Sequence, residues 1–146
     1  MTLTMSKAER EGFLAEPHVA VISVVQPSRA PLTVPVWYHY RAGGDVYIAT
    51  GATSKKARLI RAAGRLSLCV QTETPPYKYV SVEGPVHLGP IDFERDIRHV
   101  AYRYLGEQMG DMYLQTMAAQ FDAAANVLVR LTPEHWLSVD YTKMQM

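Results

Sequence analysis

The sequence has one cysteine and no long hydrophobic run, and each shortage excludes a class of protein. A lone Cys69 cannot form a disulfide within the chain, and its place in the apolar segment 66–70 predicts a buried, unreactive thiol. A chain without disulfides suits a reducing cytoplasm, where we expect this protein. No segment is long enough to span a membrane, and the first residues lack the apolar core of a signal peptide.

The chain also has little net charge. Its 146 residues carry a formal charge of +1, which neither indicates nor excludes nucleic acid; we expect no nucleic-acid partner, and any anion site must be local. With 48% hydrophobic and 20% charged residues, the composition is that of an ordinary folded protein. The length suits a single domain over residues 1–146.

Signatures of hydrolases, nucleoside triphosphatases and metalloproteins are missing. The sequence has no G-x-S-x-G, no P-loop and no paired catalytic carboxylates. Four histidines show no spacing typical of metal ligands, and no acidic cluster accompanies them, so we expect no metal site. These four are His18, His87, His99 and His135.

The segment 45–65 organises what is present. An alternating apolar run ends at Gly51, and a Ser-Lys-Lys sequence then begins a helix that Gly64 should end. Free N–H groups at the helix start, short hydroxyls and three nearby cations are suited to hold an anion such as a phosphate. A solvated face is the alternative, but the helix dipole disfavours cations there, which favours the phosphate interpretation. The cations are Lys55, Lys56 and Arg58.

Hydrophobic periodicity predicts six or so strands and helices at three places. The strands are 19–25, 32–40, 46–49, 66–70, 77–88 and 127–131, after which the chain turns into 135–141. Thr4 or Ser6 should cap a first helix, and Glu9 is placed for a capping box with Ser6. A second helix follows Ser54, and the segment 91–125 should form two helices separated near Gly106 and Gly110.

The order of these elements predicts a mainly β fold with flanking helices. Three strands precede the first crossover helix, which favours a small antiparallel barrel over a doubly wound parallel sheet. The strand 19–25 looks too apolar to have a solvent-exposed face. Pro35 lacks a backbone donor and should place its strand, 32–40, at a sheet edge or at a bulge. Breaks of this kind often lie beside a ligand.

Four motifs, taken in order, resemble the core of the pyridoxamine-5′-phosphate-oxidase-like, flavin-binding split-barrel superfamily. They are the stretches 47–50, 54–56, 66–70 and 79–86. The resemblance implies an FMN-binding-type split β-barrel that forms a homodimer and binds a flavin-type cofactor at the subunit interface. A segment rich in Arg and His, with which the vitamin-B6 oxidases hold their substrate phosphate, is missing at the C-terminal end.

The resemblance also implies a set of cofactor-binding positions. The phosphate contacts match Thr50, Ser54, Lys55 and Lys56, with Arg58 as an addition. The segment that contacts the ring matches Val34, Pro35, Val36 and Trp37, and the partner subunit would reach in with strand residues near Tyr79.

The short form looks more like the actinobacterial branch that binds the deazaflavin coenzyme F420 and reduces small organic substrates by hydride transfer. F420 carries a phosphodiester and a polyglutamyl tail, so it suits an extended cationic cluster better than FMN, the alternative cofactor. A flat unsaturated substrate would stack on the cofactor. A non-catalytic carrier of flavin, haem or tetrapyrrole is a second alternative. Tyr38 and His39 are candidate proton donors, although strand alternation would let only one face the pocket and a core role is favoured for each.

Overall fold

The computed structural model describes residues 2–144, in which eight strands and three α-helices are formed, more strands than the six or so expected. The strands are β1 (Ala20–Val24), β2 (Leu32–Val36), β3 (His39–Tyr40), β4 (Val46–Gly51), β5 (Arg65–Gln71), β6 (Lys78–Gly89), β7 (Asn126–Leu131) and β8 (His135–Asp140). The helices are α1 (Lys7–Ala15), α2 (Lys55–Ala63) and α3 (Arg98–Gln120), with a π-helical turn over Phe93–Ile97 and 3-10 turns over Ala123–Ala125 and Tyr141–Lys143. None of these helices is both long and apolar enough to cross a membrane.

All strand pairs are antiparallel and form a curled half-barrel in the order β2-β1-β5-β6-β7-β4-β3. The long strand β6 joins the two halves of the sheet. Its first part, up to Glu83, pairs with β8, and its last part, from Val86, pairs with β7. The predicted mainly β fold with flanking helices is therefore confirmed.

The change of partner along β6 depends on Gly84. The backbone carbonyl of Thr132 comes so close that a Cβ atom built on Gly84 would lie 1.9 Å from its oxygen. Two backbone hydrogen bonds flank this contact: the N–H of Thr132 donates to Pro85 at 3.0 Å, and the N–H of Glu134 donates to Glu83 at 2.9 Å. The irregularity predicted at Gly84 and Pro85 is thus the place where two chain segments meet backbone to backbone.

The core fills the concave side of the sheet with alternate residues of each strand. Its largest fully buried side chains include Ile22, Ile48, Leu68, Val80, Val82 and Leu131. The helix α1 adds Phe13 and Leu14, and it begins with the predicted capping box, since Ser6 accepts from the Glu9 amide while the Glu9 carboxylate accepts from the Ser6 amide. The helix α2 adds Ile60 and ends at Gly64 in the left-handed conformation, as predicted.

The predicted single strand 32–40 is wrong, because the chain leaves the sheet between β2 and β3. Pro35 lies in β2, which is an edge strand as predicted, whereas β3 is at the opposite end of the strand order. Tyr38 lies in the segment that connects β2 to β3 and is fully buried there, and its hydroxyl donates to the Leu14 carbonyl at 2.6 Å. That buried hydrogen bond to α1, together with the pairing of His39 with Tyr47, stabilises the break in the strand.

The expectation that strand 19–25 has no solvent-exposed face is also wrong for the single chain. Val19 and Val21 are 56% and 41% exposed on the convex side of the sheet. Strand residues point alternately to opposite faces, so an apolar run buries both faces only where both are covered. Cys69 pairs with Val21 and is only partly buried, in contrast to the buried thiol expected, although burial still raises its pKa.

The long helix α3 is interrupted where glycine predicted it. Gly106 has a φ of 78°, outside the helical range, and divides α3 into two parts. The first part is held by Tyr104, whose hydroxyl donates to the His18 carbonyl at 2.7 Å and accepts from the Tyr38 amide at 3.1 Å. Arg103 adds hydrogen bonds to the carbonyls at the end of α1, so α3 is fastened to the loop that leads into β1.

Replacing Tyr104 by phenylalanine should lower the free energy of unfolding by about 1–3 kcal/mol, because the buried carbonyl of His18 and amide of Tyr38 would lose their partner. Urea unfolding measures this difference. Tyr77→Phe is the matched control, since Tyr77 is 48% exposed and its hydroxyl makes no hydrogen bond within residues 2–144. Equal losses in both variants would contradict the role assigned to Tyr104.

Candidate functional site

A cavity of about 870 Å³ lies between the convex side of β3, β4 and β7 and the segment that forms the π-helical turn and α3. This volume is within the range of roughly 300–1,000 Å³ that is typical of small-molecule sites. Its wall consists of Pro35, Val36, Trp37, Tyr38, His39, Arg41, Tyr47, Ala49, Lys56, Arg95, Asp96, Ile97, His99, Val100, Ala101, Tyr113 and Leu128. The wall is thus mostly apolar and aromatic with a few polar groups, which is how cofactor sites are built.

The apolar part of the wall contains packed aromatic rings. Trp37 follows β2 and stacks on Tyr104 with ring centroids 4.9 Å apart and an angle of 5° between the rings. Tyr113 lies against Trp37 at 5.8 Å. The small side chain of Ala49 is exposed on β4 and pairs with Leu128 of β7, which leaves an open floor. Aromatic and small side chains of this kind are suited to pack against a planar ring system.

The start of α2 borders the cavity. Ser54 caps the helix: its hydroxyl accepts from the Ala57 amide at 3.0 Å and donates to the Gly51 carbonyl at 2.8 Å. The Thr50 hydroxyl lies 3.5 Å from that of Ser54. These short side chains fix the course of the strand-to-helix turn, so that the first turn of α2 faces the cavity edge.

Lys56 is the residue of α2 that lines the cavity. It is partly buried, and burial lowers its pKa because the charged form loses water. Within residues 2–144 it makes no ion pair, and the first turn of α2 has no acidic side chain. A partly buried cation without a carboxylate is suited to bind an anion that enters the cavity.

Two histidines face each other across the cavity wall. The rings of His39 and His99 meet edge to face with centroids 4.3 Å apart. Burial, followed by the charges of His99 and of nearby arginines, lowers the pKa of His39 to about 4. Burial also lowers the pKa of His99, and its Nε2 atom is buried without a hydrogen-bond partner in the part of the chain that the structure describes.

The carboxylate of the cavity wall, Asp96, is already bound. It accepts from Arg95 Nε at 2.9 Å, from Arg95 Nη2 at 2.8 Å and from the Asp92 amide at 2.8 Å. Burial works to raise the pKa of Asp96, but these hydrogen bonds and the charges of Arg95 and His99 outweigh it and lower the pKa. Asp96 is therefore an ionised, structural partner of Arg95.

The structure brings some of the predicted positions together and separates others. Pro35, Val36, Trp37 and Lys56 line the cavity. Thr50 and Ser54 lie in the turn beside it, and Lys55 and Arg58 are exposed on α2. Val34 packs against the core from β2, and Tyr79 lies on β6 outside the cavity wall.

The sequence allowed only one of the candidates Tyr38 and His39 to face the pocket, but both line the cavity, because the strand break between β2 and β3 removes the alternation that would have separated them. Other wall residues were not predicted from sequence. No sequence pattern identified His99 as a site residue. Among residues 2–144 no three His, Cys, Asp or Glu side chains come together to hold a metal ion. The residues of the π-helical turn and α3 join the site from a distant part of the sequence, so local patterns do not identify them.

Acid should destabilise the protein through His39. Its pKa is about 4 in the folded protein and ordinarily near 6.5, so between these values the unfolded chain binds a proton that the folded protein does not. The free energy of unfolding should therefore fall as the pH drops from 6.5 to 4. Urea unfolding at several pH values measures how steeply the free energy of unfolding changes with pH. This dependence should be weaker in His39→Gln, whereas replacing the exposed His135 should leave it unchanged. An unaltered slope in His39→Gln would contradict this prediction.

A curled antiparallel half-barrel with a cofactor-sized cavity against one half defines the chain as a split-barrel protein of the flavin-binding type. The chain belongs to the pyridoxamine 5′-phosphate oxidase family, whose model matches residues 6–140. The resemblance inferred from the ordered motifs is thereby confirmed.

Solved structures of other proteins share the fold. A conserved hypothetical protein of Mycobacterium tuberculosis, Rv2991, is 23% identical, with a TM-score of 0.77 over 99% of this chain and 92% of its own. An F420 reductase is 21% identical, with a TM-score of 0.71 over 87% of this chain and 94% of its own. An FAD-binding protein of Mesorhizobium loti is 20% identical, with a TM-score of 0.64 over 92% of this chain and 94% of its own. No curated protein matches the sequence.

Proposed function

We propose that the protein is an oxidoreductase that uses reduced coenzyme F420 for hydride transfer to a small, flat, unsaturated organic substrate. The observation that carries the proposal is Lys56, a partly buried cation without an acidic partner among residues 2–144, at the edge of an apolar cavity. The family and the fold shared with an F420 reductase support it.

The distribution of charge on α2 favours F420 over FMN. Lys56 borders the cavity, and three further cations are exposed on the same helix and make no ion pair within residues 2–144. A cofactor with a phosphodiester and a polyglutamyl tail would place several negative charges along this surface, whereas FMN has one terminal phosphate. The three exposed cations of α2 are Lys55, Arg58 and Arg61. FMN is the second candidate, because a flavin-type cofactor is expected for this family and an FAD-binding protein shares the fold.

The residues of the cavity fit a deazaflavin or flavin ring. Pro35 and Val36 would contact the ring, Trp37 is held in place by Tyr104, and Ala49 leaves space on the floor. When bound, the reduced cofactor supplies the hydride; the protein supplies orientation and excludes water. Of the two sequence-based proton donor candidates, Tyr38 is committed to the Leu14 carbonyl, so His39 is the one with a ring nitrogen available to the cavity.

We propose further that the protein is a homodimer, with a second copy covering the convex face of the first half of the sheet. Val21, Cys69, Ser81 and Leu137 form one row across β1, β5, β6 and β8, and Leu137 is 60% exposed. Tyr79 lies beside this row. Exposed apolar side chains on one face of a sheet, here Val21 and Leu137, are costly in water and typical of an interface between copies.

Sedimentation equilibrium tests the dimer. The wild-type chain has a mass of 16.4 kDa and should sediment at twice that value. Combining Val21→Lys with Leu137→Lys should yield monomer, because two lysines in the row would be buried against a second copy. Met112→Lys, at a 64% exposed position on α3, is the matched control and should remain dimeric. A monomeric wild-type protein would overturn the proposed dimer.

Parallel titrations of the purified protein with F420 and with FMN test the cofactor. We expect F420 to bind more tightly, and the difference to shrink in high salt because several charge pairs are screened. If FMN binds tightly and F420 does not bind, FMN replaces F420 as the proposed cofactor. If neither binds, the oxidoreductase proposal fails.

Reoxidation of reduced F420 with enones and quinones then tests catalysis. We expect turnover with at least one flat unsaturated acceptor. Binding of F420 with no turnover across the panel would instead indicate the non-catalytic carrier.

The cytoplasmic location expected from the single cysteine stays a prediction, which fractionation of cells producing the protein would test.

A further inference from the structure

The cavity carries nitrogen-bearing side chains at two places along β4. His39 pairs with Tyr47 near the start of this strand, and α2 with Lys56 follows its end at Gly51. From Tyr47 to Gly51 a strand advances roughly 13 Å. Lys56 accounts for an anionic group of the cofactor at one of the two places. The other, beside Tyr47, is left without a function by the cofactor proposal.

Most charges around the His39–His99 pair are already satisfied. The groups that face it from the neighbouring elements are Arg41 after β3, Arg95 and Asp96 of the π-helical turn, and Arg103 of α3, with the hydroxyls of Tyr47 and Tyr113 also on the cavity wall. Arg95 and Asp96 bind each other, and the guanidinium of Arg103 donates to the carbonyls of Ala15 and Glu16.

Arg41 differs from these arginines. It lines the cavity, is exposed, and makes no ion pair within residues 2–144. It lines the same cavity as His39 and His99, whose rings touch each other, and its positive charge helps to lower the pKa values of both imidazoles; these three side chains are the Arg–His cluster of the wall. The buried Nε2 of His99, which has no partner in the described chain, belongs to the same cluster. The cluster therefore has nitrogen atoms that are free to bind an anionic group in the cavity.

We infer that Arg41, His39 and His99 form a subsite for a carboxylate of the substrate, so that the acceptor is an unsaturated carboxylic acid. This inference rests on the proposed function, because it identifies the substrate class of the same cavity. A carboxylate has the two acceptor oxygens that a guanidinium and an imidazole N–H bind best. A neutral acceptor would leave these donors unpaired, which costs binding free energy and creates specificity.

Proton uptake is a consequence of this geometry. A carboxylate beside the two imidazoles stabilises their charged form, so binding should raise their depressed pKa values and draw a proton from solution. Affinity for the acid should increase as the pH falls from about 8 to about 6, towards the ordinary histidine pKa. Affinity for the corresponding amide should not change.

Calorimetric titration with trans-cinnamate and trans-cinnamamide, in two buffers of different ionisation enthalpy and without cofactor, tests the inference. The acid should bind at least about tenfold more tightly than the amide, the effect of a charge-assisted hydrogen bond. Arg41→Gln should remove this preference, and His99→Gln should reduce proton uptake. Arg29→Gln, an exposed arginine outside the cavity wall, should change neither.

Three outcomes would overturn the inference: equal binding of acid and amide, no binding of either, or an acid preference that both variants retain. F420 affinity, measured on the same variants, should be unchanged; if Arg41→Gln weakens F420 and not cinnamate, the cluster serves the cofactor and the inference fails. Failure of the proposed function is distinguishable, because a wild-type protein that binds neither F420 nor FMN but prefers the acid keeps the carboxylate subsite and loses the cofactor assignment.

Discussion

Replacing Lys56 by glutamine should weaken the binding of F420 by about 10- to 100-fold. Lys56 is partly buried at the cavity edge and has no acidic partner within residues 2–144, so a bound phosphodiester would be its counter-charge. A hydrogen bond between charged groups contributes about 1.5–3 kcal/mol, which corresponds to this range of affinity. Glutamine keeps a donor and much of the chain length but loses the charge. Fluorescence titration measures the two dissociation constants.

The matched control is Lys7→Gln, an exposed lysine in the first turn of α1 away from the cavity. Its F420 affinity should equal that of the wild type. Neither substitution should lower the unfolding temperature, because Lys56 forms no ion pair in the described chain and its burial disfavours the charge. If the combined replacement of Lys56 and Arg58 left the affinities for both F420 and FMN unchanged, the anion site at α2 would be disproved.

The variant Gly84→Ala should be the least stable of the single substitutions considered. A Cβ atom at this position would lie 1.9 Å from the carbonyl oxygen of Thr132, and backbone cannot move aside as a flexible side chain can. Relief requires β6 to separate from the turn after β7, which disturbs the hydrogen bond from Thr132 to Pro85. We expect the free energy of unfolding to fall by about 3 kcal/mol, at the upper end of overpacking effects.

Gly12→Ala is the control for the loss of glycine flexibility. Gly12 lies in α1, and a Cβ atom there would meet nothing within 4 Å. Alanine is the better helix former, so this variant should be as stable as the wild type or more stable by up to about 1 kcal/mol. Urea unfolding of both variants provides the comparison. A Gly84→Ala protein within about 1 kcal/mol of the wild type would show that the two backbone segments can separate at little cost.

The candidate site is assembled by segments that are distant in sequence. The wall proposed to contact the cofactor ring comes from the end of β2, the partly buried lysine from α2, and the histidine pair from β3 and α3. Tyr104 and Arg103 fasten α3 to the residues between α1 and β1, so the position of His99 depends on contacts outside the cavity. Replacing Arg103, which does not stack on Trp37, should therefore affect acceptor binding more than cofactor binding.

Local sequence rules determined the elements that depend on neighbouring residues. The capping box of Ser6 and Glu9, the end of α2 at Gly64 and the interruption of α3 at Gly106 each need only a few consecutive side chains or one backbone conformation. Pro35 also predicted an edge strand by itself, because it lacks a backbone donor. These features are visible in one sequence since their physical causes act within a turn of chain.

Only the tertiary structure decided where the strand 32–40 breaks and which residues meet in the cavity wall. The break between β2 and β3 is stabilised by the hydrogen bond from buried Tyr38 to Leu14, which lies 24 residues earlier in the sequence. The pairing of His39 with His99 brings together residues from β3 and from the start of α3. Such contacts arise from the burial of whole elements against one another, and hydrophobic periodicity identifies which face is buried without identifying what covers it.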